Sequence, residues 1–243
     1  MALTSKEFTE RRFDWRIAVA AGVVIVIAVS IWMFGRDNTT PEHSASGPVA
    51  AGPEAPGKGS PLPQQPELVR SPADPAWLTG APHDISWQRV DGVPLPFSSS
   101  DGPARIDGAV ASGYSHTPQG AVMAAAQISF RLAWSPDYER VVRAQTAVSD
   151  QTRQQLVDAR ASNSLDPAVV GQYASAPVAF KIAEYTAEAT TLWLAFPARD
   201  GQFTFARAAL VWSGNDWKYS DQFSVMAIDL PPSPSLDGFT RIG

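Results

Sequence analysis

Residues 190–212 read TTLWLAFPARDGQFTFARAALVW, and this stretch decides the fold. Over 190–196 and again over 203–212, the side chains fall into two alternating sets, one for each face of a strand. This is the two-residue period of β-strands. Arg199-Asp200-Gly201 separates the two runs and is typical of a hairpin turn. The stretch therefore predicts two long antiparallel strands that are neighbours in one sheet.

The flanking residues extend this sheet in both directions. Residues 178–183 alternate in the same way. On the other side, Ser213-Gly214-Asn215-Asp216 is a second turn signal, and it precedes a strand predicted over 217–228. Together these segments predict a meander of about four antiparallel strands.

Three helices are predicted before the sheet. Thr117 is a good N-cap and Pro118 suits the first helical position, so the Ala-rich run after them predicts a helix to about residue 134. Similar start signals predict helices over about 136–146 and 149–162. Three helices followed by a curved antiparallel sheet define an α+β domain, in which the helices bury one face of the sheet.

Composition sets the remaining domain boundaries in the folded part. Residues 113–230 form the predicted domain, and residues 76–112 are expected to be an extended lead-in that contains an edge strand over 85–90. Residues 231–243 are rich in Pro and Ser and are expected to be loose.

A transmembrane helix is predicted over 17–35. Residues 17–34, IAVAAGVVIVIAVSIWMF, carry no charge and would be about 27 Å long as a helix, which matches the bilayer core. A buried core helix normally shows a polar stripe and caps, which this run lacks. A cleaved signal peptide has a shorter apolar core and a small-residue cleavage site, and residues 32–36 offer no such site. An uncleaved membrane anchor is therefore favoured over both alternatives.

The charges beside this span predict its orientation. Lys6, Arg11, Arg12 and Arg16 precede it, whereas Arg36 is the only basic residue in the twenty positions after it. Basic flanks stay in the cytoplasm. The sequence thus predicts a single-pass protein of the inner cell membrane, with a cytoplasmic tail over 1–16 and the folded domain outside.

Residues 36–75 read as a linker. Nine of the 39 residues from Asp37 to Pro75 are proline, without an apolar period that could form a core. This segment is either a tolerated spacer or one adapted to cross a wall layer or reach a partner. The chain has no cysteine, which excludes a disulfide framework and a lipidated cysteine anchor.

The sequence predicts neither catalysis nor nucleic-acid binding. Residues 76–243 carry 12 Lys and Arg against 16 Asp and Glu, so no basic face for direct contact with nucleic acid is expected. No nucleophile-elbow serine and no metal-like spacing of His and acids is present in the sequence. We therefore predict no enzyme activity, no catalytic residue, no metal and no cofactor.

Two motifs carry a family resemblance over about residues 110–228. The segment LVWSGNDWKY at 210–219, after the helices, looks like a closing strand of the nuclear-transport-factor-2-like cone fold. The layout of one span, a linker and one such domain resembles the assembly proteins of type IV secretion and conjugation channels. GYSHTPQGAVMAAA at 113–126 is similar to a segment of actinobacterial proteins of mobile elements. Single-span cone domains also resemble membrane proteins associated with actinobacterial lipid-import systems.

These resemblances imply two alternative functions. The first is a bitopic structural or assembly subunit of a conjugation or secretion machine, which would contact further copies of itself and other envelope subunits. The alternative is an accessory protein that binds a lipid or another small ligand in the cone. The candidate residues for a ligand cavity or an interface are Tyr114, His116, Trp193, Trp212 and Trp217. His116 could instead serve only as a helix-cap hydrogen-bonding residue, and the tryptophans only as core.

Overall fold

The computed structural model describes residues 71–162, 166–198 and 200–242. The predicted cytoplasmic tail, the transmembrane helix over 17–35 and most of the linker lie outside these residues. Among the helices that are described, none combines the length and the apolar character needed to cross a bilayer.

The described chain contains four helices and nine strands. The helices are α1 (Pro118–Trp134), α2 (Tyr138–Gln145), α3 (Asp150–Ala161) and α4 (Pro167–Tyr173). The strands are β1 (Ile85–Val90), β2 (Val93–Ser98), β3 (Arg105–Asp107), β4 (Val110–Ser112), β5 (Ala179–Tyr185), β6 (Ala189–Pro197), β7 (Phe203–Trp212), β8 (Trp217–Ser220) and β9 (Thr240–Arg241). This confirms the α+β class and the three predicted helices.

A five-stranded antiparallel sheet in the order β8-β7-β6-β5-β9 is the centre of the fold. Its longest ladder is the predicted hairpin, in which β6 pairs with β7 from Ala189↔Val211 to Pro197↔Phe203. A register shift between Ile182 and Glu184 interrupts the pairing of β5 with β6. Bulges of this kind bend a strand and increase its twist, so the sheet curves here.

α1 packs across one face of this sheet. The side chain of Thr117 accepts a hydrogen bond from the N–H of Gly120 at 3.1 Å, and Pro118 occupies the first turn, as the sequence predicts. The alanines of the helix are buried and small, so the sheet can approach closely. Side chains that the sheet contributes to this core include Phe180, Leu192, Leu194, Leu210 and Trp217.

The opposite face of the sheet is covered by the end of the chain. Phe203 exchanges backbone hydrogen bonds with Ser233 at 2.7 and 3.0 Å, and the rings of Phe205 and Phe239 lie 4.9 Å apart. β9 pairs with the edge of β5, and Ile242 is buried. The expectation of a loose segment over 231–243 is therefore wrong, because Phe239 packs on the sheet face that the helices leave open and Ile242 packs into the core beneath α1.

The strand predicted over 217–228 is also shorter than expected. β8 ends at Ser220, whose hydroxyl accepts a hydrogen bond from the N–H of Gln222 at 3.1 Å. The chain then turns and returns across the sheet. Local hydrogen bonding by Ser therefore competes with the ladder and ends the strand.

The lead-in over 76–112 differs from the expected extended segment. The predicted strand over 85–90 is present as β1, but it pairs with β2 in a hairpin, and β3 pairs with β4 in a second hairpin. Ala111 is fully buried in the main core, and Trp87 packs against that core. No domain boundary therefore falls at residue 113, since both hairpins share one hydrophobic core with α1.

Candidate functional site

Three of the predicted site residues meet in an aromatic cluster, which we define as His116, Trp212, Trp217, Tyr185 and Trp77. The imidazole of His116 and the indole of Trp212 are stacked with centroids 3.9 Å apart. Trp217 contacts both rings, at 5.7 Å from His116 and 5.3 Å from Trp212. Tyr185 lies 5.9 Å from Trp217, and Trp77 continues the series at 6.0 Å from Tyr185.

Hydrogen bonds join the cluster to neighbouring backbone segments. Nε2 of His116 lies 2.5 Å from the carbonyl oxygen of Ala187, which belongs to the turn between β5 and β6. The indole N–H of Trp217 donates to the carbonyl of Ser115 at 3.0 Å. The cluster therefore joins the start of α1 to two turns of the sheet at one end of the domain.

Asp216 fixes the same region from the turn before β8. Its carboxylate accepts hydrogen bonds from the backbone N–H groups of Gly113 at 2.8 Å, Tyr114 at 3.1 Å and Trp217 at 3.0 Å. Burial raises the pKa of Asp216 above its usual value, and the three donors and Lys218 oppose this rise. A half-buried carboxylate thus orients the segment that presents His116.

Tyr114 points away from the aromatic rings into the core. It is 4% exposed, and burial raises the pKa of its phenol well above the usual range. Its charged neighbour is Arg131, whose Nε donates to Gln127 at 2.9 Å and whose Nη1 donates to the carbonyl of Ala109 at 3.1 Å. Tyr114 therefore lies beside a buried polar network between α1 and the β3–β4 hairpin, and its hydroxyl has no hydrogen-bond partner among the described residues.

Trp193 lies on the other face of the sheet, apart from the remaining candidates. It is 5% exposed, and its indole N–H donates to the carbonyl of Ile228 at 3.1 Å. Arg207, its cross-strand neighbour, donates to the carbonyl of Ala227 and lies over the ring of Phe223 at 4.3 Å. These two side chains hold the segment that returns over the sheet.

That segment presents an exposed apolar turn, which we define as residues 224–228. Val225 is 92% exposed, Met226 72% and Ile228 66%, whereas Ala227 between them is 1% exposed. The N–H of Ser224 donates to Oγ1 of Thr191, and the N–H of Ala227 donates to the carbonyl of Ser224, both at 3.0 Å. The turn is therefore anchored at its backbone while its large side chains face solvent.

Sequence reasoning missed this turn because its apolar residues fit the continuation of a strand. The signal that could have identified it is Asp229-Leu230-Pro231-Pro232, which follows at once. A strand with two consecutive prolines close behind it cannot continue its ladder, so residues just before them are candidates for a turn.

Within the ranges that the structure describes, no three His, Asp or Glu side chains are grouped closely enough to hold a metal ion. A small cleft lies between the β1–β2 hairpin and α1, away from the aromatic cluster. Its lining residues are Val90, Asp91, Val93, Leu95, Phe130, Arg131 and Ser135.

Fold and surfaces together define an α+β domain whose central antiparallel sheet is covered on both faces, with an aromatic cluster at one end and an exposed apolar turn. The chain belongs to the family described as Domain of unknown function (DUF8175), whose model matches residues 51–241. No curated protein and no solved structure matches the chain. The family match begins at residue 51, inside the predicted linker, and ends at residue 241.

Proposed function

We propose that this protein is a bitopic structural subunit of a conjugation or secretion machine in the cell envelope. In this proposal residues 17–35 anchor it in the inner membrane with the N-terminus in the cytoplasm. The extracytoplasmic domain then binds copies of itself and other subunits of the machine. The observation that carries the proposal is the exposed apolar turn at residues 224–228.

Exposed apolar side chains are common singly, but here three large ones stand together on one hydrogen-bonded turn. Trp193, Arg207 and Thr191 fix the backbone of the turn by hydrogen bonds. A surface that is already ordered loses little conformational entropy when a partner covers it. This combination favours a protein-contact surface.

The fold order supports the resemblance on which the machine assignment rests. Helices α1 to α3 precede a bent antiparallel sheet, which is the order expected of a nuclear-transport-factor-2-like cone. α1 lies against the sheet side chains Leu192, Leu194 and Trp217, which are at most 2% exposed. Close packing under α1 favours a contact role over the alternative of a lipid-binding or ligand-binding cone.

The test is site-specific cross-linking in whole cells. A photo-reactive residue at Met226 should capture other envelope subunits or a second copy of the chain, whereas one at Gln154, exposed on α3, should not. Deletion of the gene should reduce DNA transfer or secretion, and the intact chain should restore it. Unchanged transfer and secretion after deletion would reject the proposal, and a co-purified small ligand in native mass spectrometry would favour the alternative.

A further inference from the structure

The β1–β2 hairpin has a hydrogen-bonding pattern that its turn determines. Asp91 and Gly92 form a two-residue turn with φ of 50° and 82°, as in a type I′ hairpin. Val90 and Val93 next to the turn then form a hydrogen-bonded pair, and the pairs alternate from there. Trp87↔Pro96 and Arg89↔Pro94 are therefore pairs without mutual hydrogen bonds. The backbone N–H and C=O groups of these residues point away from the hairpin.

The outer edge of β2 is closed. Pro94 and Pro96 have no N–H to offer on that side. The carbonyl of Pro96 accepts a hydrogen bond from the side chain of Gln127 at 2.6 Å. Ser98 exchanges backbone hydrogen bonds with Gly102 at 3.0 and 3.1 Å. These contacts also confirm the alternation, because Ser98 belongs to the outward-facing set.

The outer edge of β1 is open. Ile85, Trp87 and Arg89 each direct an N–H and a C=O outward, and in the part of the chain that the structure describes no hydrogen bond joins these groups to another element. β1 carries no proline and no bulge, and Arg89 near its end is its one charged residue. Prolines, bulges and charged side chains are the usual devices that prevent an edge strand from pairing with another chain. One edge of the hairpin is thus blocked and the other is ready to pair.

We propose that β1 of a second copy of this chain occupies the open edge, antiparallel to the first. The two strands would be related by a two-fold axis at Trp87. Each outward-facing pair would then exchange two backbone hydrogen bonds: Ile85 with Arg89 of the other copy, and Trp87 with its equivalent. This inference rests on the proposed function, since it assigns the self-association of the scaffold to one edge.

Charge favours this occupant and this direction. Asp84 precedes β1, and Arg89 is the one charged residue within it. Both side chains are exposed. In the antiparallel arrangement, Arg89 of each copy lies near Asp84 of the other copy. This happens once at each end of the paired strands. A parallel arrangement would place like charges side by side, which is unfavourable across neighbouring strands.

Because the natural chain has no cysteine, disulfides can test the register directly. Two differently tagged full-length chains carrying Ser86→Cys and Gln88→Cys should form a mixed disulfide in membranes. The arrangement places these residues opposite each other, about 4.5 Å apart at Cα. A matched pair of chains carrying Gln154→Cys on α3 should remain uncross-linked.

A second comparison tests the backbone itself. Arg89→Pro removes one outward N–H and leaves the ladder with β2 intact, whereas Arg89→Ala removes the same side chain and keeps that N–H. Losing the bond twice per dimer should reduce the 86–88 cross-link about tenfold in the proline variant. The alanine variant should stay within about twofold of the parent.

Only monomers, or equal cross-linking in both Arg89 variants, would overturn the proposed pairing. Reduced protease resistance of Arg89→Pro without any dimer would also overturn it, because the substitution would then act within a single chain. The result is separable from the proposed function. A missing 86–88 disulfide in cells whose DNA transfer still depends on the chain rejects the pairing alone. A clear disulfide in cells whose transfer survives deletion rejects the machine role alone.

Discussion

The imidazole of His116 stacks on the indole of Trp212 with the two ring planes only 9° from parallel. His116 lies just before the cap of α1, and Trp212 ends β7. The contact therefore closes one end of the domain by joining the first helix to the sheet. Trp217 makes T-shaped contacts with both rings and is itself 1% exposed.

We predict that His116→Ala destabilises the domain by about 1 to 2 kcal/mol, because it removes the stacked pair and the hydrogen bond to Ala187. Urea unfolding followed by far-UV circular dichroism measures this change. His83→Ala is the matched control, since among the described residues the exposed imidazole of His83 contacts only the carboxylate of Asp84, at 2.9 Å. Equal stability of the two variants would show that the contacts of His116 in the aromatic cluster do not stabilise the domain.

The pH dependence of stability should contain a contribution from Asp216. Its pKa in the folded state is raised above the usual value of an aspartate, so the folded state holds the proton more tightly than the unfolded state. The resulting stabilisation is complete below the unfolded pKa and is lost as the pH rises through the folded pKa.

Asp216→Asn keeps an acceptor oxygen but cannot ionise. The difference in free energy of unfolding between this variant and the parent therefore isolates the effect of ionisation. We expect the free energy of unfolding of the parent to fall relative to that of Asp216→Asn as the pH rises from about 3 to 7. Paired urea titrations at each pH give the difference. If instead the free energy of unfolding of the parent rises relative to that of Asp216→Asn with pH, the three backbone donors outweigh burial.

Gly120 should not tolerate a side chain. A Cβ at this position would lie 2.0 Å from the carbonyl oxygen of Ser115, which is backbone and cannot rotate away. Gly120→Ala should therefore cost about 3 kcal/mol in spite of the better helix propensity of alanine. Thermal unfolding measures the loss.

Gly171→Ala in α4 is the control for this prediction. Its Cβ would meet Gly92 at an ordinary contact distance of 3.8 Å. It should be neutral or stabilising by up to about 1 kcal/mol, because alanine is the better helix former. An effect of Gly120→Ala as small as that of Gly171→Ala would show that the segment before α1 can move.

Met226→Asp should separate association from stability. Met226 is 72% exposed, so its replacement should change the free energy of unfolding by less than about 0.5 kcal/mol. A charge in an apolar contact surface should nevertheless abolish capture of partners by a cross-linker placed at Val225. Gln154→Asp, an exposed change on α3, should leave capture intact. Undiminished capture by Met226→Asp would exclude the apolar turn as the contact surface.

The local signals were sufficient for the main elements. The period-two alternation over 190–212 and the turn at Asp200-Gly201 predicted β6 and β7, because strand faces and turn conformations depend on neighbouring residues. Thr117 and Pro118 located the start of α1 for the same reason. α4 was not predicted from the sequence, although Asp166 caps this helix by accepting a hydrogen bond from the N–H of Ala168.

By itself the sequence determined which residues form strands and helices, since period, caps and turn residues act over a few positions. The tertiary structure alone decided which residues meet. Alternation predicted two faces for β6, but it could not predict that the chain end would cover Trp193 and leave Val225 and Met226 exposed. It also could not predict that His116 would reach Trp212. Such contacts join residues far apart in the chain, and the packing of the whole core determines them rather than any local pattern.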